Sequence, residues 1–328
     1  MRVVLVLLSI SMGLWQPAAS QLELMTPSRN RPHVLEVNLT TVLVPTTVSR
    51  RDDDTVVRGL GKDDFRVFEE GIEQSIVSVS EEDAPVTLNI LLDTSGSMRP
   101  KKTVRRGNGS AIGSLEVEVL DQTDKLTPAI FGINTLLGYV YREDMLSLTT
   151  FAGKPVVVGD FGIRPEQIER ALTRLEPKGL TSLNESIRFV AKNMARYEKD
   201  GGKLPENRIL LIISDGEDTT SWIWDSDKSV VEDIRETGLR VYAVGIIERI
   251  NLFKKLADAT GGKVVVVNDT STLSKVIPDL LREMHNQYQI TFNSTLPLDG
   301  KYRKVKVTLN DHPEYQVHAR PGYLAQVR

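Results

Sequence analysis

The chain has 328 residues, of which 40% are hydrophobic and 26% charged, a composition typical of a globular protein with room for two folded units. Its 41 basic and 44 acidic residues give a formal charge of −3, which argues against general affinity for nucleic acid or anionic membranes. The chain contains no Cys, so disulfides, thiolate metal sites, Cys nucleophiles and lipid attachment at a Cys are excluded.

Residues 1–20 have the three parts of a secretory signal: a positive start, a short apolar core over 3–8, and small residues before a cleavage point. We predict cleavage after Ser20 and a flexible tail over 21–33. The apolar core is shorter than the ~20 residues that a spanning helix needs, and no later stretch approaches that length. We therefore expect an exported protein, periplasmic or extracellular, without a transmembrane segment. A signal anchor is the alternative.

Residues 34–83 show β patterns and nothing that indicates chemistry. Alternation of β-branched residues predicts a strand over 34–44, and a charged turn follows over 50–54. The runs 65–68 and 75–79 are separated by a short turn that contains Gly, which predicts a hairpin.

From Pro85 onward, strands alternate with helical segments, which is typical of an α/β fold with a doubly wound, mainly parallel sheet. The sheet strands are predicted over 86–93, 144–151, 207–215, 239–247 and 262–267, with a returning edge strand over 155–161. Helices are predicted from an N-cap at Thr127-Pro128, over 165–175, after Thr181, through 230–234, and over 251–259 and 271–285.

The β pattern then returns in three runs, over 288–294, 302–309 and 315–319. Neither terminal segment has enough strands to bury a core alone. We therefore predict that 34–83 and 287–328 pair as one small antiparallel β-sandwich, into which the α/β domain, 84–286, is inserted. Chain ends that lie close together make such an insertion feasible.

The first strand of the α/β region ends in an Asp-x-Ser-x-Ser loop, formed by Asp93, Ser95 and Ser97. Alternate residues of a loop that curls around one point direct their side chains to the same side, so these three can converge on a small cation. Open α/β sheets place their ligand sites at such strand ends. Carboxylate and hydroxyl oxygens without His or Cys suit Mg²⁺, Mn²⁺ or Ca²⁺, and Mg²⁺ is our first choice.

One loop cannot fill an octahedral coordination shell, and two more oxygen donors occur at the same predicted edge. Asp215 ends a second apolar strand, and Thr181 lies in a loop just before a helix. Ser182 and Glu185 in that helix start predict a capping box, which would occupy Ser182 and leave the Thr181 hydroxyl free.

In residue type and order, these positions resemble the metal-ion-dependent adhesion site (MIDAS) of the von Willebrand factor A (VWA) family, and the resemblance covers roughly 84–286. The matching residues are Asp93, Ser95, Ser97, Thr181 and Asp215. The resemblance implies that the hydroxyls bind the metal directly, that one or both Asp act through water, and that a partner's Asp or Glu completes the shell. It implies a protein that binds a protein partner and catalyses nothing. The wider chain is also similar to a bacterial, largely acidobacterial, VWA-related family through 59–71 and 319–323.

Two groups of residues beside this edge are candidates for contact with the partner. The segment 99–124 is longer than an ordinary connection and begins with basic residues, which predicts either a basic lip for an acidic partner or a solvated loop. Two tryptophans after the second strand are either core residues or part of a binding hot spot. The candidates are Arg99, Lys101 and Lys102 in the first group and Trp222 and Trp224 in the second.

Two other functions fit parts of the sequence. A phosphatase of the haloacid-dehalogenase type also has Asp at the end of its first strand, but its chemistry needs a second carboxylate two residues later, where this chain has Ser95. A structural or assembly protein would instead act through the edges of the sandwich, and the metal would only rigidify the loops.

Overall fold

The computed structural model describes residues 40–99, 102–106, 116–120, 124–216, 218–220, 227–247 and 250–325. The predicted signal, the tail over 21–33 and the first part of the strand over 34–44 lie outside these residues. Lys101, Trp222 and Trp224 also lie outside them. Among the described helices, none combines the length and the apolar character that crossing a membrane requires.

The elements follow one another in three groups. The first group contains the strands β1 (Thr40–Arg50), β2 (Phe65–Glu69), β3 (Ile72–Gln74) and β4 (Ile76–Asp83). The second contains β5 (Val86–Asp93), β6 (Lys102–Arg106), β7 (Glu116–Leu120), α1 (Leu126–Leu137), β8 (Met145–Phe151), β9 (Pro155–Gly159), α2 (Pro165–Leu172), α3 (Leu183–Lys199), β10 (Asn207–Ser214), α4 (Asp227–Arg235), β11 (Arg240–Ile246), α5 (Asn251–Thr260), β12 (Lys263–Val267) and α6 (Leu273–His285). The third contains β13 (Asn286–Ser294), β14 (Tyr302–Leu309), β15 (Tyr315–Ala319) and β16 (Gly322–Leu324).

Six strands form the central sheet in the order β12-β11-β10-β5-β8-β9, and all neighbours are parallel except β8 and β9. The chain runs outward from β5 to β9 and then returns to β10, so β5 and β10 flank the point where the strand order reverses. Every residue of β5 and β11 is buried, as expected for parallel strands that helices cover on both faces. The predicted α/β fold class with its additional antiparallel sheets is confirmed.

Helices on both faces of this sheet bury two apolar cores. α1 and α6 pack on one face, where Ile133 and Ile277 lie in the core. α3, α4 and α5 cover the other face, where Ile187, Ile234 and Phe253 lie in the second core. Burial from both sides holds β5 and β10 in register, and their ends define the candidate site.

Strands from the first and third groups form two four-stranded antiparallel sheets, ordered β15-β1-β13-β4 and β16-β14-β2-β3. One apolar core contains side chains from both sheets, including Val44 and Ile290 from the first and Val67 and Val307 from the second. The two sheets therefore pack face to face as a β-sandwich. The division of the chain into domains at 84 and 286 stays a prediction.

One predicted strand pairing in the sandwich is wrong. β2 pairs with β3, whereas the run over 75–79 lies mainly in β4, which pairs with β13 in the other sheet. Glu70 and Gly71 have φ angles of 48° and 83°. Positive φ at both central residues is typical of a two-residue hairpin turn, and this turn pairs Glu69 directly with Ile72. The chain therefore turns back before the longer apolar run begins.

Four further details differ from the predictions. β1 continues beyond 44 to Arg50, because its second half pairs with β15. Thr127 is not the N-cap of α1: Lys125 holds that position, and the Thr127 N–H donates to the Asp124 carboxylate at 3.1 Å. Part of the segment 99–124 is an antiparallel ribbon of β6 and β7, and β16 was not predicted at all.

Gly132, in the middle of α1, allows this helix to lie directly against α6. A Cβ at this position would be 2.7 Å from the backbone oxygen of Leu273 and 2.7 Å from Cδ1 of Ile277. We predict that Gly132→Ala lowers the free energy of unfolding by about 1–3 kcal/mol, because overpacking outweighs the better helix propensity of Ala. Urea denaturation followed by circular dichroism measures this loss.

Gly153→Ala is the matched control, because a Cβ at Gly153 meets nothing within 4 Å. Its free energy of unfolding should stay within about 0.5 kcal/mol of that of the unmodified protein. If both variants were equally stable, the close approach of α1 to α6 would be contradicted.

Candidate functional site

The candidate site lies at the carboxyl edge of the central sheet, where β5 and β10 end side by side. Leu92 is paired with Ile213, so Asp93 and Ser214 are the next residues of the two strands. Asp215 follows immediately. This edge is also where the strand order reverses, and open α/β sheets bind ligands in that crevice.

Asp93, Ser95, Ser97 and Asp215 form one hydrogen-bonded cluster at this edge. The backbone N–H of Ser95 donates to Asp93 Oδ1 at 2.8 Å, and the hydroxyls of Ser95 and Ser97 are 2.9 Å apart. Ser97 Oγ in turn donates to Asp215 Oδ1 at 2.8 Å. Asp93, Ser95 and Asp215 are buried, and Ser97 is half-buried. The structure thus brings four of the five predicted site residues into direct contact.

The loop that carries Thr181 is fastened to the loop after β5 by backbone hydrogen bonds. Gly96 N–H donates to the Gly179 carbonyl at 3.0 Å, and Lys178 N–H donates to the Thr94 carbonyl at 2.8 Å. Thr181 is 5% exposed, and within the described part of the chain its hydroxyl makes no hydrogen bond. Thr181 therefore belongs to an adjoining loop, but its side chain is not hydrogen-bonded to the other four residues.

The predicted capping box at the start of α3 is wrong. Ser182 occupies the N-cap position, but its side chain accepts no backbone N–H of the first turn, and Glu185 is exposed. The Asp218 carboxylate caps the helix instead, because it accepts the Asn184 N–H at 2.7 Å. Asp218 lies just beyond β10, so a residue near the second strand end positions the loop before α3.

Asp93 is fully buried in this cluster. Burial raises the pKa of its carboxyl above the usual value, and the charge of Asp215 acts in the same direction. Hydrogen bonds from the Ser214 hydroxyl and from Ser95 favour the ionised form and oppose this rise. A cation bound nearby would also favour the ionised carboxylate.

Lys125 is a charged neighbour of the cluster that sequence reasoning missed. Its Nζ lies 2.5 Å from Asp215 Oδ2, and the two side chains are 12% and 0% exposed. Both oxygens of Asp215 therefore have partners, since Ser97 donates to the other one. The contact spans 90 positions in the sequence, and no spacing rule joins a lysine at a helix start to an aspartate at a distant strand end.

The chemistry of the cluster fits a small, hard cation. Two carboxylates and two serine hydroxyls offer oxygen donors only. Across the described ranges, no group of three or more His, Cys, Asp or Glu side chains is arranged to hold a metal, so those residues offer no soft or carboxylate-rich site. The Lys125 ammonium already lies against the cluster, as expected where two carboxylates make the cluster negative.

The structure locates only part of the predicted partner surface. Arg99 is exposed at the end of the Ser97 loop, and Lys102 is the first residue of β6. Lys101, Trp222 and Trp224 fall outside the described residues.

Two apolar side chains that sequence reasoning did not select are exposed near the same edge. Leu180, beside Thr181, is 62% exposed, and Ile247, just after β11, is 38% exposed. Ile247 has a φ of 70°, which is rare for a β-branched residue and marks a strained position. The apolar residue next to Thr181 in an otherwise polar loop was the sequence signal that could have identified Leu180.

Comparisons with known proteins agree with this architecture. Residues 88–217 match the family model of the von Willebrand factor type A domain. A solved von Willebrand factor type A structure from Catenulispora acidiphila has a TM-score of 0.50 and 13% identity, over 88% of this chain and 64% of that one. Proximal thread matrix protein 1 from the mussel byssus, with a zinc-occupied MIDAS motif, has a TM-score of 0.46 and 16% identity, over 62% and 49% of the two chains.

The PilB minor pilin from Streptococcus sanguinis has a TM-score of 0.43 and 13% identity, over 62% of this chain and 61% of the pilin chain. This chain thus spans about half of the mussel protein and 64% of the Catenulispora chain. No curated protein matches it. The family match shows that residues 88–217 belong to a von Willebrand factor type A (VWA) domain.

Asp218→Ala and Glu185→Ala together test which residue caps α3. We predict that Asp218→Ala lowers the free energy of unfolding by about 0.5–2 kcal/mol, the usual loss when a helix cap is removed. Glu185→Ala should cost only about 0.3 kcal/mol, because Glu185 is exposed, makes no side-chain hydrogen bond or ion pair among the described residues, and is left with the helix dipole. Urea denaturation of both variants measures the two losses. A larger loss for Glu185→Ala than for Asp218→Ala would contradict the Asp218 cap and favour the capping box.

Asp93→Asn tests the cost of burying this carboxylate without a cation. Because the folded-state pKa of Asp93 is raised, its ionisation destabilises the fold as the pH rises above the unfolded-state value of about 3.9. In chelator at pH 7, Asp93→Asn should therefore melt at a higher temperature than the unmodified protein, and the difference should shrink toward pH 4. A thermal melt in which the variant is less stable at pH 7 would show that hydrogen bonds outweigh burial.

Proposed function

We propose that this protein binds a protein partner through a divalent cation, with Mg²⁺ as the first candidate and Mn²⁺ or Ca²⁺ as alternatives. The residues that would hold the cation are Asp93, Ser95, Ser97, Thr181 and Asp215. The observation that carries the proposal is the hydrogen-bonded cluster of oxygen-bearing side chains at the reversal point of the VWA sheet.

The residues of the cluster have separate tasks in this proposal. Ser95, Ser97 and Thr181 would offer neutral hydroxyl oxygens, so they add no negative charge. Asp93 holds the loop in its curled form by accepting the Ser95 N–H, and Asp215 orients the Ser97 hydroxyl. Few direct carboxylates would leave the ion electron-poor, which strengthens its attraction for an external anion. The bound cation would keep one coordination site open, and an Asp or Glu carboxylate of the partner would occupy it.

We propose no catalytic activity for this site. VWA domains are generally interaction modules. A phosphatase that used Asp93 as nucleophile would need a second acid two residues later, and Ser95 there offers Asp93 only a backbone N–H and a hydroxyl. Binding of a partner is the function that these groups support.

Two exposed apolar residues favour assembly through the sandwich as the second candidate function. Ile72 in β3 is 67% exposed and Val77 in β4 is 51% exposed, and both strands lie at sheet edges. Edge strands carry unpaired backbone groups to which another chain can add a strand. In that case the metal would only rigidify the loops.

The location and domain arrangement also belong to the proposal. The signal-like residues 1–20 support export to the periplasm or the extracellular space. A VWA domain over 84–286, inserted between 34–83 and 287–328, would be held by the sandwich at both of its ends. That arrangement would leave the edge with Asp93 available to a protein partner.

Isothermal titration of the chelator-stripped protein with Mg²⁺ and Mn²⁺ tests the proposed site. We expect one saturable site, and Asp93→Ala or Thr181→Ala should weaken it by about 10–100-fold or more, because each removes an oxygen of the binding set. Asp258→Ala is the control, since it removes an exposed carboxylate of α5 that contacts Lys254. Unchanged affinity in both site variants, with their circular dichroism preserved, would contradict the assignment.

A further inference from the structure

The ion pair between Lys125 and Asp215 places a positive group of this chain against the proposed metal position. Nζ lies 2.5 Å from Asp215 Oδ2, and the Asp215 side chain is fully buried. Lys178, on the neighbouring loop, is also basic, but it is exposed and makes no ion pair with any described residue. Lys125 therefore contacts the cluster directly, whereas Lys178 contributes only a positive charge near it.

The backbone around Lys125 fixes where its side chain begins. Lys125 N–H donates to the Met98 carbonyl at 3.3 Å, just after the Ser97 turn, and Lys125 O accepts the Ala129 N–H at 3.3 Å in the first turn of α1. Met98 is fully buried, so the anchor point is part of the core. The start of α1 and the Asp-x-Ser-x-Ser loop therefore form one connected unit that aims the lysine at Asp215.

The charges of the site make this ion pair and metal binding compete. Asp93 and Asp215 together carry two negative charges when ionised, and Lys125 offsets one of them. A divalent cation that used the same carboxylate would lie beside an ammonium group of the same sign, at a buried point where water screens their repulsion poorly. Asp215 Oδ2 would also have to exchange its hydrogen bond from Nζ for a contact with the metal or its water.

We propose that Lys125 is a built-in competitor for the metal position: its ammonium holds Asp215 in the metal-free protein and must leave for a divalent cation to bind. The inference rests on the metal site proposed above. The lysine side chain keeps 12% of its surface exposed, so it is not sealed in the core and a change of rotamer can carry its ammonium outward. Lys125 thereby sets the metal concentration at which the site fills, and its release delivers a positive group to the rim that an acidic partner would approach.

Titration of Mg²⁺ into three proteins tests the competition: the unmodified chain, Lys125→Met, and Lys178→Met as the matched control. Removing a competing charge-assisted hydrogen bond should make Lys125→Met bind Mg²⁺ about tenfold more tightly or better, whereas Lys178→Met should stay within about twofold. Equal or weaker binding by Lys125→Met, with normal binding by the unmodified chain, would overturn this inference and leave the metal site standing. Absence of binding in all three proteins would overturn both.

Amine labelling of the unmodified protein provides a second readout that needs no variant. Labelling at Lys125, quantified by peptide mass spectrometry, should rise several-fold when Mg²⁺ is added to saturation, because the side chain moves into solvent. Labelling at the exposed Lys178 should not change. If Lys125 labelling were the same with and without Mg²⁺ under conditions where calorimetry shows binding, the lysine would not be displaced and the inference would be wrong.

Discussion

The parallel pairing of β5 with β10 is the constraint on which the candidate site depends. The register that joins Leu92 to Ile213 fixes where Asp93 and Asp215 emerge, because both strands are buried by helices on two faces and cannot slip without exposing apolar side chains. Each further component is attached to these two ends. Gly96 binds the loop that carries Thr181, Met98 binds the start of α1, and Ser97 bridges to Asp215.

The cluster buries polar side chains at the ends of β5 and β10, directly beside the apolar cores of the sheet. Asp93 is held without a charged partner of its own in the hydrogen-bond network, and burial raises its pKa, so its ionised form is maintained at a cost in stability. Asp215 avoids the same cost through Lys125. The two carboxylates therefore have different partners. Asp215 is paired with the ammonium of Lys125, whereas Asp93 accepts hydrogen bonds only from uncharged groups, the Ser214 hydroxyl and Ser95. A cation that bound both carboxylates would displace Lys125 from Asp215 and would lower the cost of keeping Asp93 ionised.

Sequence reasoning predicted the parts of the fold that leave a local mark. Mostly apolar runs identified β5, β10 and β11, because strands that are buried on both faces favour apolar residues at successive positions. The motif from Asp93 to Ser97 was recognisable because the sequence changes abruptly from apolar to polar residues where β5 ends. Contacts between distant residues were not predictable: Asp218 caps α3 in place of the nearby Glu185, and Lys125 reaches Asp215 across 90 positions. Such contacts depend on where individual side chains lie once the strand ends have come together, and the sequence pattern does not contain that information.

The most direct test of the central claim is to locate the cation. Crystals grown with Mn²⁺ should show one anomalous scattering peak between the ends of β5 and β10. Its distance from the Ser95 and Ser97 hydroxyl oxygens should be close to the distance of about 2.0–2.1 Å at which Mg²⁺ binds oxygen. In the same map, the Lys125 ammonium should no longer contact Asp215. A fully ordered cluster with no peak at saturating Mn²⁺, or a peak elsewhere in the molecule, would contradict the metal site and the function proposed from it.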